Sequence, residues 1–276
     1  MNSVHFLTAL ACLALAGGAA AKAADDGARP ARLILVGDST MATRSGYGDA
    51  LCQRLRAGAA CINLARGGRS SGSFRAEGRW DEVQALLRDG AAFSASYVLI
   101  QFGHNDQPGK PGRSTDLLTQ FPQNIARYVS EARALGGVPV LVTPLTRRSF
   151  KGQYLRDDLG PWASEVRRVA KETGTLLVDL NKISADAVQA MGSNEADTLA
   201  QAPPPDPNAA PVAMAPGAAV EPQGTPKISF DRTHVGAKGA ALFSGMVASE
   251  LRRQIPALRP SLAPCPDSYN RGQSSD

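Results

Sequence analysis

Arg32-Leu-Ile-Leu-Val-Gly-Asp-Ser-Thr40 decides the architecture of this chain. The apolar run Leu33 to Val36 is short enough for a strand and continuous enough to be buried on both faces, the mark of a parallel sheet. Gly37 then permits a tight reversal, and Asp38 can fix the turn by accepting bonds from backbone amides. Ser39 is thereby delivered to the carboxyl end of a buried strand, where open α/β sheets bind their ligands.

The same pattern repeats outward from this stretch. Further strands are predicted at Cys61–Leu64, Tyr97–Phe102, Val138–Thr143 and Leu176–Asp179. Helical periodicity falls between them, near Tyr47–Arg56, Trp80–Leu87, Phe121–Leu135 and Trp162–Thr173, with a last helix at Lys238–Arg253. Such alternation predicts βαβ units, right-handed crossovers and helices on both faces of one parallel sheet.

At 276 residues the chain suffices for one large domain, taken here as 24–276. Residues 1–23 read as a signal peptide. Phe6 to Gly18 is an apolar run too short to span a bilayer comfortably, and Ala21-Lys22-Ala23 is a small-residue cleavage pattern. The expectation is export to the periplasm or beyond, with no later segment apolar enough to act as a membrane anchor. Residues 194–227 are rich in Ala and Pro without regular periodicity and read as an insertion, either a lid or disordered. The tail 256–276 reads as loosely ordered.

The formal charge of +5 comes from scattered arginines, often beside Asp or Glu, so nucleic acid is excluded as a partner. A mildly basic surface does suit an acidic polysaccharide. Cys52 and Cys61 could close a short loop in an oxidising compartment or stand as small buried thiols. Cys265 is left over, and the absence of CxxC or Cys/His clusters argues against a structural metal.

Histidines are scarce: with His5 in the signal segment, His104 and His234 remain. His234 has Asp231 three residues before it, near enough to hold one ring nitrogen and select the tautomer a general base needs. Serine, histidine and aspartate together point to acyl transfer. The second strand leads into Gly68, with no side chain to block its own N–H, and the third into Gly103-His-Asn-Asp106, where the Asn105 amide is a further donor for an oxyanion. His104 has no comparable local partner and is expected to be structural or substrate-facing.

Gly-Asp-Ser-Thr at 37–40, Gly-Arg-Ser-Ser at 68–71, Gln-Phe-Gly-His-Asn-Asp at 101–106 and Asp-Arg-Thr-His at 231–234 resemble the blocks of the SGNH, or GDSL-type, hydrolase superfamily, and most resemble its rhamnogalacturonan acetylesterase branch. The resemblance implies a flavodoxin-like three-layer αβα sandwich with a parallel central sheet. It implies Ser39 as nucleophile, His234 as base and Asp231 as orienting acid, with the Ser39 and Gly68 amides and the Asn105 side chain as oxyanion hole. No metal and no organic cofactor is implied. The implied reaction is removal of O-acetyl groups from an acetylated polysaccharide or oligosaccharide, and Arg44, Arg66 or Arg69 could contact uronate groups of a pectic substrate. The alternatives are a lipase or thioesterase of broad acyl specificity on the same scaffold, and a non-catalytic polysaccharide-binding protein.

Overall fold

The computed structural model describes residues 29–56, 58–204 and 230–263. The expected signal peptide, Cys265 and most of the 194–227 segment lie outside these residues. The elements run β1 (Ala31–Gly37), α1 (Gly48–Cys52), β2 (Ala60–Asn63), α2 (Ser73–Ala76), α3 (Arg79–Arg88), β3 (Ala95–Gln101), α4 (Gln120–Ala134) and β4 (Val138–Val142). They continue as β5 (Phe150–Lys151), β6 (Tyr154–Leu155), α5 (Gly160–Thr173), β7 (Leu176–Val178), α6 (Leu180–Asp197) and α7 (Ala237–Gln254).

The main sheet has the order β2-β1-β3-β4-β7, and every neighbouring pair is parallel. Alternation along β1 shows how the three layers arise. Leu33 and Leu35 point to one face and pack with Leu99, Val140, Phe243, Met246 and Leu251. Ile34 and Val36 point to the other, against Trp80, Val98, Phe121, Tyr128 and Trp162. Side chains of successive strand residues alternate in direction, so a doubly covered strand must be apolar throughout. Each such fully buried side chain contributes about 1.5–3 kcal/mol. Helices α3, α4 and α5 cover one face, and α1, α6 and α7 the other.

The structure adds the short helix α2 and the β5–β6 hairpin to the expected elements and departs from the sequence reading in four further places. Helix α1 stops at Cys52 instead of reaching Arg56, and Cys52 is disulfide-bonded to Cys61 at the start of β2. A helix not expected from periodicity, α6, follows β7 and is interrupted at Gly192, whose φ of 74° breaks its course. The segment beginning at Asn194 therefore does not begin as a loose insertion: its first residues finish α6, and Ala196, Asp197 and Leu199 are buried. The start of the tail is likewise packed. Pro256–Leu258 form a 3-10 turn, Leu258 and Leu262 are buried, and Leu262 bridges to Leu55. Among the described residues no helix is long and apolar enough to cross a membrane.

Candidate active site

Strand β1 ends at Gly37, and the backbone then turns so that Asp38 O accepts from the amides of Met41 and Ala42. Asp38 Oδ1 accepts from the Thr40 amide at 2.9 Å and the Thr40 hydroxyl at 2.8 Å. Gln101, at the end of β3, donates to the same hydroxyl at 2.7 Å and is itself held by the Tyr47 hydroxyl at 2.6 Å. The turn is packed too tightly for side chains behind it: a Cβ on Gly46 would sit 2.3 Å from the Thr40 carbonyl. Ser39, 8% exposed, thus stands on an over-determined turn.

Two loops converge on it. The one after β2 begins with Arg66 N–H donating to Gly37 O at 2.9 Å and includes Gly68 at φ 77°, a left-handed conformation that favours glycine. The loop after β3 carries Asn105, whose Nδ2 donates to Arg69 O at 3.1 Å and so ties the two loops together. Asp106 fastens them from behind, accepting from the Ser71 amide at 3.0 Å, the Ser71 hydroxyl at 2.6 Å and the Thr115 hydroxyl at 3.1 Å. Burial outweighs these bonds and pushes the Asp106 carboxyl up to about 7.

Asp231 and His234 lie on the turn that enters α7. Asp231 Oδ2 is 2.9 Å from His234 Nδ1, and Oδ1 accepts the amides of Thr233 and His234, each at 2.7 Å. Burial alone would raise the Asp231 carboxyl, but the bonds from the His234 ring and backbone outweigh it and hold it down at about 2. The carboxylate is therefore ionised at any working pH and fixes one ring nitrogen as donor, leaving Nε2 as acceptor. Ser39 and His234 share no direct hydrogen bond among the described residues. Their turns are joined through Ser45, whose hydroxyl donates to Ser39 O at 2.7 Å and whose carbonyl accepts from the N–H of Val235, the residue after His234, at 3.0 Å. Such pairs commonly tighten only when substrate is bound.

The structure adds residues that sequence reasoning missed. Arg148, in the segment after β4, is buried and donates through Nη2 to His234 O at 2.7 Å and Asp231 O at 3.0 Å. Its own amide donates to Arg232 O at 2.8 Å. Arg232 in turn pairs with Asp197 at 2.8 Å, and Leu199 O accepts from Gly236 N–H at 2.9 Å. The beginning of the Ala/Pro-rich segment is therefore part of the frame around the histidine turn. His104 corrects the expectation that it lacks a partner. Its Nδ1 lies 3.3 Å from Asp38 Oδ2, and both side chains are buried behind the Ser39 turn, out of reach of a polymer. Burial pushes Asp38 up, but His104 and the Thr40 donors more than offset it, and the carboxyl is lowered.

Among curated proteins, the chain is 33% identical over 179 residues to the rhamnogalacturonan acetylesterase RhgT of Bacillus subtilis, covering 62% of this chain and 74% of that protein. It is 31% identical over 155 residues to "probable rhamnogalacturonan acetylesterase YesY" of the same organism, covering 54% of this chain and 69% of that one. Among solved structures it superposes on a catalytic mutant of Axe2, an acetylxylan esterase from Geobacillus stearothermophilus. That match has a TM-score of 0.52 at 20% identity and covers 80% of this chain and 93% of the other, a likeness of fold. The model of the GDSL-like Lipase/Acylhydrolase family matches residues 35–242, from β1 into α7. That span takes in the serine turn, both loops tied by Asn105, and the aspartate–histidine turn, and the chain belongs to the GDSL-like lipase/acylhydrolases.

Proposed function

We propose that this protein is a serine esterase that removes O-acetyl groups from a plant cell-wall polysaccharide, acetylated rhamnogalacturonan above all. The observation that carries this reading is the Asp231–His234 turn, tied through Ser45 to a serine at the end of β1, an inner strand of the parallel sheet. The substrate class rests on the relatives, which are named as rhamnogalacturonan acetylesterases. The polar, arginine-bearing surface beside Ser39 favours a sugar over a long acyl chain.

Ser39 Oγ attacks the acetyl carbonyl carbon while His234 Nε2 takes the hydroxyl proton. Asp231 stabilises the imidazolium that results. The carbonyl oxygen becomes an oxyanion that accepts from the Ser39 and Gly68 amides and from Asn105 Nδ2; a donor of this kind is worth about 3–4 kcal/mol of barrier. The C–O bond to the sugar then breaks, and His234 returns its proton to the departing sugar oxygen. Water repeats the sequence on the acetyl-enzyme, with His234 again as base, and acetate leaves. Export after cleavage at Ala23 belongs to the same proposal, and N-terminal sequencing of the secreted protein checks it.

Acetate release from acetylated rhamnogalacturonan, acetylated xylan and a panel of short- and long-chain esters tests the reading. Ser39→Ala should lower kcat by about 10⁴-fold or more while the thermal transition is retained. Appreciable turnover by that variant, or faster cleavage of long acyl esters than of acetate, contradicts it.

A further inference from the structure

A cavity of ≈ 530 Å³ opens between the loop carrying Ala42–Ser45 and the loop after β2. Its wall reaches the nucleophile: a Cβ placed on Gly67, which lines it, would be 3.8 Å from Ser39 Cβ. Arg44, Arg66, Arg69 and Arg79 all line this space. Glu77 faces Arg69 at 2.9 Å and Arg79 at 2.7 Å, so one carboxylate is shared between those two guanidinium groups. The nearby Asp49 is bonded to Asn63 Nδ2 and the Thr43 hydroxyl and is not part of the lining. Among the described residues, the Arg44 and Arg66 side chains have neither hydrogen bond nor ion pair. The cavity beside the serine thus carries an excess of positive charge with two uncommitted forks.

Arg44 holds its place under backbone strain. Its φ of 71° is the one positive value among the described non-glycine residues. Side chains with a Cβ avoid that region, and where one persists the surroundings must hold it. Here they do. Gln201 donates to Arg44 O at 2.6 Å, and the adjoining Ser45 is bonded to both Ser39 and Val235. Glycine would occupy the position without strain, so the strain accompanies a guanidinium, carried next to Ser45, whose bonds tie the Ser39 turn to the histidine turn.

A guanidinium fork beside a reacting ester can hold a carboxylate or a phosphate bidentately, and carboxylate is the one that an acidic cell-wall polysaccharide presents. We propose that Arg44 and Arg66 form a subsite for the carboxylate of a hexuronate residue at or next to the acetylated sugar. The subsite orients the polymer so that its acetyl carbonyl meets Ser39. It rests on the reading of the chain as a polysaccharide deacetylase and names the feature of the polymer that is recognised.

The test separates the subsite from that reading. In one arm, rhamnogalacturonan oligosaccharide without acetyl groups, and the same oligosaccharide with its carboxyls reduced to alcohols, are titrated calorimetrically into Ser39→Ala. The titration is repeated with Arg44→Met/Arg66→Met added. In the other arm, kcat/KM of the otherwise wild-type protein and of the double variant is compared on the acetylated forms of both polymers. The preference for the uronate form is expected to fall about 10–100-fold in the double variant in both arms, with the single variants between. Arg168→Met, which removes one charge from α5, should leave the preference unchanged, and Arg44→Gly should lose preference with no fall in Tm. Equal affinity of Ser39→Ala for the two oligosaccharides overturns the subsite, as does a preference that survives in the double variant or drops equally in Arg168→Met. Carboxylate-dependent binding without acetate release keeps the subsite and removes the deacetylase reading.

Discussion

Arg148→Met isolates the contribution of a buried side chain that touches no substrate in the proposed mechanism. The substitution keeps most of the volume and removes the bonds to His234 O at 2.7 Å and Asp231 O at 3.0 Å; the contact with Thr233 O at 3.5 Å is too long to count. Bonds from a charged donor are worth about 1.5–3 kcal/mol each, giving about 3–6 kcal/mol lost. Against that, burial pushes the guanidinium pKa down to about 10, and removing so poorly solvated a charge recovers about 3 kcal/mol. The net loss of stability is then about 0–3 kcal/mol, and Tm should fall by no more than about 12 °C. A domain with ordinary stability of about 5–15 kcal/mol remains folded after that loss. Activity should nevertheless fall much further. The Asp231–His234 turn loses two ties to the segment after β4, and displacement of a catalytic base on the scale of an ångström costs about 10²-fold in rate. Initial rates on 4-nitrophenyl acetate at 25 °C, beside thermal unfolding followed by circular dichroism, measure both quantities. Arg148→Lys, which can reach one carbonyl, should lie between. A lowered Tm with kcat/KM within twofold of wild type would show that Arg148 supports the fold alone and would refute the positioning argument.

Three other perturbations test the frame. His104→Leu replaces the ring that lies 3.3 Å from the buried Asp38 Oδ2, an oxygen without a hydrogen-bond partner among the described residues, and should cost about 1–3 kcal/mol in urea unfolding; a cost indistinguishable from zero would mean that the Thr40 donors to Oδ1 suffice. The Asp106 carboxyl, raised to about 7 by burial, holds a proton in the folded state that the unfolded chain has released by about pH 4. Its contribution is therefore most favourable below pH 4 and declines as pH rises to about 7; Asp106→Asn should remove that slope, and an unchanged slope would contradict the assignment. Replacing Cys52 and Cys61 by Ser frees a short loop and should cost about 2–3 kcal/mol, read as a lower Tm that reductant does not change further.

What could be read from sequence was what local chemistry determines. The strands β1, β3 and β4 are doubly buried, so their apolar runs are unbroken and cannot be mistaken for surface. Asp231 and His234 were legible because their bond spans three residues of one turn. Helix α6 was hidden for a physical reason: its buried face includes Asn181 and Ser184 beside Leu180 and Val188, and Gly192 interrupts its course. Ser184 Oγ accepts from the Thr146 amide and donates to Asn181 O, each at 3.2 Å, so a polar residue is tolerated inside where a hydrophobic period would be sought. Helix α1 ends at Cys52, and beyond it Arg54 turns to bond Ser244 and Ala241 of α7, acceptors 190 and 187 residues away that leave no local signal. Arg148 escaped notice because its acceptors lie 83 and 86 residues away, and nothing in the Arg147-Arg148 pair says which guanidinium is buried.

The same division between local and distant bonds explains where the site is vulnerable. Ser39, Gly68 and Asn105 follow three adjacent strands, β1, β2 and β3, whose hydrogen-bonded register sets their spacing directly. The histidine turn has no strand of its own. It depends on joints: Arg148 to its carbonyls, Arg232 to Asp197, Val235 to Ser45 and Ala200, and Gly236 to Leu199. Each joint is a few polar bonds, worth about 1 kcal/mol apiece net between neutral groups and about 1.5–3 where a guanidinium donates, small beside the hydrophobic core, yet together they fix where His234 stands relative to Ser39. Substitutions in the sheet should therefore lower stability and activity in step. Substitutions at the joints should lower kcat first, because the fold persists after the alignment of His234 with Ser39 is lost.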